Sequence, residues 1–150
     1  MARRRFLAQL AAWPLATLLP VSAFASGRPA GLKIMLKSAW GSDDPTKAAF
    51  PFSHGHALAD AGHEVQIFLL GEAVNLMRRS VAETVVPVAW PPVAELLGKV
   101  VERKIPIYAC GTCARARGIT ESDLANWGAK YGNPKIFVSL IEWADRVITE

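Results

Sequence analysis

The chain has 150 residues, of which 51% are hydrophobic and 20% charged, with a formal net charge of +4. That composition excludes a disordered chain and suits one domain with a sizeable core. Two cysteines are too few for the multi-bridge framework of a small secreted module.

Residues 1–25, MARRRFLAQLAAWPLATLLPVSAFA, follow the three-part plan of a bacterial export signal. A positive start precedes an apolar stretch from Phe6 to Leu19, and small residues ending Ala23-Phe24-Ala25 prepare a cut before Ser26. Arg3-Arg4-Arg5-Phe6-Leu7 also fits the twin-arginine pattern. A retained anchor is the competing reading, but the apolar run falls short of the roughly 20 residues of a span. Pro14 and Pro20 also interrupt it. Cleavage after Ala25 places the mature chain in the periplasm, and the membrane is met only during export. It also removes three arginines, leaving 14 basic against 13 acidic side chains, a net of +1. The basic excess was an export label, so no nucleic-acid partner is expected.

In the mature chain, residues 32–36 read as a strand ended by Ser38-Ala39-Trp40-Gly41-Ser42. Asp43-Asp44-Pro45 starts a helix, with a capping carboxylate before a proline at the first helical position. That helix must kink or restart at Pro51, which lacks a backbone donor, and it stops at Gly62. Residues 64–70 form a second strand and residues 72–77 a short helix; residues 78–90 show no clear pattern. Pro91-Pro92 precede a helix over 93–102 whose apolar side is Val93, Leu96, Leu97, Val100 and Val101. Residues 105–109 are a third strand, in which Pro106 is unwelcome unless it sits at the start. Thr120-Glu121-Ser122-Asp123 caps a short helix, Asn133-Pro134 begins another through Glu142, and residues 145–149 close as a strand. Strands alternating with helices predict a single α/β domain over 26–150, its mainly parallel sheet of four to five strands flanked by helices. Ligands of such sheets gather at the carboxyl ends of strands, near the reversal of strand order. The loops holding Trp40 to Asp44 and Cys110 to Arg117 are therefore the candidate site.

The turn Cys110-Gly111-Thr112-Cys113 carries the chemistry. A cysteine at a helix start faces unpaired backbone donors and the positive dipole end, which favour thiolate, and Arg115 and Arg117 add positive charge. A zinc knuckle would need two further soft ligands, and no second cysteine pair exists. Attached c-type haem would need histidine directly after Cys113, where Ala114 stands. The motif is similar to that of thioredoxins, but those folds carry it after an early strand; here 37 residues remain beyond Cys113. A structural disulfide would close only a tiny loop and add little stability. No cofactor and no metal site is expected.

The pieces Asp43-Asp44-Pro45, Phe50-Pro51-Phe52, Ala61-Gly62-His63-Glu64-Val65 and Gly71-Glu72-Ala73-Val74 recur in one order with the cysteine turn, Ala116-Arg117-Gly118-Ile119 and Ala144-Asp145-Arg146-Val147-Ile148. In this order and spacing the mature chain resembles the DsrE/DsrF/TusD group of sulfur-relay proteins. The resemblance implies a parallel α/β domain, commonly a trimer or hexamer. It also implies that a cysteine after the third strand carries sulfur as a persulfide. By its distance to Arg117-Gly118, Cys110 matches that position, and Cys113 matches a branch of the family with a cysteine pair. The implied partners are a protein sulfur donor or acceptor, or a small polysulfide or thiosulfate-type species. An exported copy cannot serve tRNA modification, as some members do, which leaves periplasmic sulfur chemistry or a reused scaffold. A dithiol–disulfide oxidoreductase using Cys110 and Cys113, or a non-catalytic oligomeric binding module, are the alternatives.

Of the other candidates, Trp40 and Asp43 on the first-strand loop either line the cysteine pocket or serve the loop alone, with Glu72 a weaker candidate at the same edge. His54 and His56, two apart, point in different directions on a helix and suit shared ligation poorly. His63 lies at the opposite end of the sheet and reads as structural. Trp90, Trp127 and Trp143 are core or interface residues.

Overall fold

A computed structural model describes residues 31–150; the expected export signal over 1–25 lies outside the described residues. The strands are β1 (Lys33–Ser38), β2 (Glu64–Leu69), β3 (Ile107–Cys110), β4 (Lys130–Gly132) and β5 (Arg146–Thr149). They pair throughout in parallel, in the order β4-β3-β2-β1-β5. The helices are α1 (Pro45–Asp60), α2 (Arg79–Thr84), α3 (Val93–Glu102), α4 (Gly111–Ala116), α5 (Glu121–Ala125) and α6 (Pro134–Trp143), with a 3-10 helix over Gly71–Met77.

Side-chain alternation splits the sheet into two unequal faces. Ile34 and Leu36 of β1, Val65, Ile67 and Leu69 of β2, and Ile107 and Ala109 of β3 enter one large core. Residues of α1, α2, α3, α4, α5 and the 3-10 helix close over that face. The intervening Met35, Phe68, Tyr108 and Cys110 point the other way, into a small cluster closed by Leu140, Ile136 and Phe137 of α6. Connection handedness explains the asymmetry. From β1 to β4 each right-handed crossover steps in one direction and leaves its helix on one face. The last connection returns to β5 at the far edge, so its helix α6 lies on the other.

Several elements match the sequence pattern closely. Asp44 caps α1 through the Lys47 backbone N–H at 3.0 Å, and Thr120 with Asp123 forms the expected capping box of α5. The α3 helix spans Val93–Glu102, burying Val93, Leu96, Leu97 and Val100, while Val101 is half-buried. At Pro51 the expectation of a restart is corrected. Helix α1 continues through it as one element with the ring buried, because a single missing donor costs one bond in a 16-residue helix anchored along the core. Pro106 stands just before β3, and its carbonyl still accepts from Ile67 N–H at 2.9 Å. Two elements are additional: α2, within the unassigned residues 78–90, and the three-residue edge strand β4.

Candidate functional site at the end of the third strand

Cys110 is the last residue of β3 and the N-cap of α4, level with Gly132 of β4. Strand alternation aims it at the thinly covered face, beside Phe68 and α6 rather than into the large core. Cys113, one turn into α4, is half-buried, and both cysteines are free thiols. Burial pushes the Cys110 thiol up. Hydrogen bonds from the Cys113 backbone N–H, the Cys113 thiol and the Thr112 backbone N–H, with the Arg115 charge, outweigh it and hold the thiol below its ordinary value.

Two glycines allow this turn to close. A Cβ on Gly132 would stand 2.6 Å from the Phe68 ring, and one on Gly111 would stand 3.0 Å from both Arg115 Nη1 and the Gly132 carbonyl. The ring of Phe68 and the guanidinium of Arg115 are thus drawn against the turn. Tyr131 fixes β4 from the other side by donating its hydroxyl to the Ile119 carbonyl at 2.7 Å. Replacing Tyr131 by Phe should cost about 1 kcal/mol through that lost bond, read as a lower urea midpoint with unchanged slope.

A cavity of about 510 Å³ opens beside the cysteines, between the carboxyl ends of β2, β3 and β4 and helix α6. Phe68, Leu70, Pro134, Phe137 and Val138 make its apolar wall, and Cys110, Cys113 and Arg115 lie on its other side. The Phe68 and Phe137 rings meet edge to face, 5.2 Å between centroids. A cleft of about 540 Å³ bordered by Arg79, Glu83, Glu95 and Trp127 carries no nucleophile.

The two arginines part company. Arg115 lines the cavity, whereas Arg117 turns away to pair with Glu72, donating Nε at 3.2 Å and also Nη2. Its Nη1 donates to the Cys113 carbonyl at 3.2 Å, so the pair braces α4 from behind. The Arg117 hydrogen bonds hold the Glu72 carboxyl below its usual range, and the carboxylate in turn raises Arg117.

Trp40 and Asp43 stand elsewhere, and the placement at the cysteine pocket is corrected. Neither lines the cavity: Lys47 Nζ lies 3.8 Å from the centre of the Trp40 ring, and Asp43 accepts from Gly41 N–H at 2.9 Å. The physical reason is strand order. Their loop follows β1, where the order reverses toward β5, while β2 separates β1 from β3. The cysteine turn therefore sits at the carboxyl edge but away from the reversal. Tyr131, Gly132 and Phe137 complete the site and were not among the sequence candidates; the Tyr131-Gly132 step before the Asn133-Pro134 helix start was their one available signal.

The histidines are used structurally. His63 Nδ1 accepts from Leu32 N–H at 3.0 Å, His54 pairs with Glu150 at 2.8 Å, and His56 with Asp60 at 3.2 Å. Trp127 is a core residue whose indole donates to the Met77 carbonyl at 3.0 Å. Among the described residues no three His, Cys, Asp or Glu side chains gather as a metal site.

Known proteins place this geometry. The chain is 33% identical over 88 residues to an uncharacterized protein of Methanocaldococcus jannaschii, covering 59% of this chain and 73% of that one. It is 32% identical over 87 residues to one of Methanopyrus kandleri, covering 58% and 68%. Among solved structures, the fold is similar to the YchN protein of E. coli, with a TM-score of 0.59 at 17% identity over 80% of this chain and 99% of that one. It is also similar to a protein of unknown function from Methanobacterium thermoautotrophicum, with a TM-score of 0.57 at 16% identity over 79% and 99%. The family model of the DsrE/DsrF-like proteins matches residues 36–149, and the chain belongs to that family.

Proposed function

We propose that this protein is a periplasmic sulfur carrier that holds sulfane sulfur as a persulfide on Cys110 and hands it to a partner. The observation that carries this reading is the Cys110 thiol, held below its ordinary pKa at the mouth of a cavity. Membership in the DsrE/DsrF-like family supports a sulfur-relay type of function. The export pattern of residues 1–25 supports the compartment.

In the loading step the Cys110 thiolate attacks the outer sulfur of a donor persulfide. The donor S–S bond breaks, its electron pair leaves on the donor thiolate, and the outer sulfur stays on Cys110 with its proton. Cys113, whose thiol already reaches Cys110, offers a way out. As thiolate it attacks the inner sulfur of the Cys110 persulfide, releasing hydrosulfide and leaving a disulfide that a dithiol reductant must reopen. That same contact favours a second reading, a dithiol–disulfide oxidoreductase without sulfane sulfur. The two separate when reduced protein is given a low-molecular-weight persulfide and loading is followed by cyanolysis. Cyanide-labile sulfur should appear in the wild type and be absent from Cys110→Ser. Equal loading of the variant would sink the carrier reading; in Cys113→Ala, where release to a disulfide is blocked, a Cys110 mixed disulfide with the donor thiol and no cyanide-labile sulfur would favour the oxidoreductase.

A further inference from the structure

We infer that the Cys110 cavity selects linear polysulfide, a row of neutral sulfur atoms ending in one negative charge, over compact dianionic donors such as thiosulfate. The inference rests on the carrier reading and narrows its donor. Three features of the cavity converge on it.

The first is the wall. Phe68, Leu70, Phe137 and Val138 present rings and aliphatic groups to the space in front of Cys110. Divalent sulfur is soft and polarizable and packs favourably against aromatic edges, so neutral chain atoms gain contacts there. An oxyanion set against these four side chains would lose water without finding donors, which the lining offers only at Thr112, Arg115 and Asn133.

The second is charge. Arg115 is the one cationic side chain lining the cavity, and its guanidinium lies against the cysteine turn at Gly111. Arg117 does not line the cavity: it is paired with Glu72 and bound to the Cys113 carbonyl, so its charge reaches the two thiols only from behind α4 and already partly compensated. Beside the Cys110 thiolate, which Arg115 already helps to hold, a hydropolysulfide brings one further negative charge and thiosulfate brings two. A dianion would keep one more charge unpaired beside an apolar wall.

The third is size. About 510 Å³ lies within the range of small-molecule sites. A water molecule occupies about 30 Å³ of liquid, so the space holds a chain of several sulfur atoms.

The reaction balances without an added oxidant. The Cys110 thiolate attacks one sulfur of the hydropolysulfide anion, and an S–S bond forms to Sγ. The adjacent S–S bond breaks, and its electron pair leaves on a shorter hydropolysulfide or hydrosulfide. The cysteine sulfur is oxidised as the departing sulfur is reduced, and total charge is unchanged.

The test loads reduced, purified protein with inorganic polysulfide or with thiosulfate and follows intact mass over time. Each rate is divided by that of free cysteine thiolate with the same donor, which removes the donors' intrinsic reactivity. The normalised rate should favour polysulfide by about tenfold or more, the scale of one poorly paired charge. Val138→Asp, at a side chain 52% exposed, should slow polysulfide loading about fivefold more than it slows alkylation by neutral iodoacetamide, which corrects for any change in thiolate content. Val86→Asp, remote from the cavity, should change neither. Equal normalised rates for the two donors, or wild-type loading in Val138→Asp, would overturn the selectivity and leave the carrier reading standing. So would loading by a protein persulfide alone. If no donor of any kind loads Cys110, both fail.

Discussion

Replacing Cys110 by serine is expected to remove the fast alkylation of this protein by iodoacetamide at neutral pH, a loss on the order of tenfold or more. The thiolate is the reacting species, and an ordinary cysteine is only a few per cent thiolate at pH 7. Cys110 is held lower than that: burial raises its pKa, but the Cys113 N–H and thiol, the Thr112 N–H and Arg115 more than offset the burial. Its rate should therefore rise with pH and level off at a midpoint below that of a free thiol. Cys113→Ala keeps Cys110 but removes one of its hydrogen-bond donors, so the midpoint should move upward and the rate at neutral pH should fall. Peptide mapping of the alkylated product, followed across pH, checks both. A fast phase that survives in Cys110→Ser would place the reactive thiol at Cys113.

Phe52→Ala is expected to destabilise the fold by about 3–5 kcal/mol. Phe52 has no exposed surface and sits in the large core on the inner side of α1. One turn further on, Gly55 brings the same helix so near the sheet that a Cβ there would stand 3.2 Å from Leu36 Cδ1. With the helix already seated this closely, the space left by the ring cannot close by a simple approach of α1. Against a total stability of roughly 5–15 kcal/mol, such a loss is a large share. Denaturant titration should show a much lower midpoint with an unchanged slope, and heating a fall in Tm on the order of 10 °C or more. A cost under about 1 kcal/mol would mean that the core repacks around the gap.

Where local signals were strong, the chain could be read directly. Pro92 before an apolar stripe set the start of α3, and Asn133-Pro134 set that of α6, with Asn133 Oδ1 accepting from Ile136 N–H at 2.9 Å. Pro106 marked a strand start rather than a strand interior, as its missing donor requires. The reactive end of β3 was legible because a strand delivers two cysteines into a tight turn.

The rest of the site depends on long-range placement. Lys130-Tyr131-Gly132 is too short to show alternation and ends in glycine, so the edge strand beside Cys110 carried no periodic signal. Without β4, the return path of α6 across the second face could not be drawn, and neither could the apolar wall of the cavity. The loops of Trp40 and Cys110 share a sheet edge, but adjacency along that edge is set by strand order, which single segments do not encode. Arg115 and Arg117 look alike in sequence; the pairing of Arg117 with Glu72 on the 3-10 helix, which sequence does not show, leaves Arg115 as the one that lines the cavity.

The mass of the native protein, isolated under non-reducing conditions from cells actively metabolising reduced sulfur, tests sulfur carriage most directly. The predicted result is a chain beginning at Ser26, heavier by one or more sulfur atoms, with the added mass mapped to the peptide bearing Cys110 and lost on treatment with cyanide. A Cys110 peptide that remains free of sulfane sulfur in such cells would contradict it.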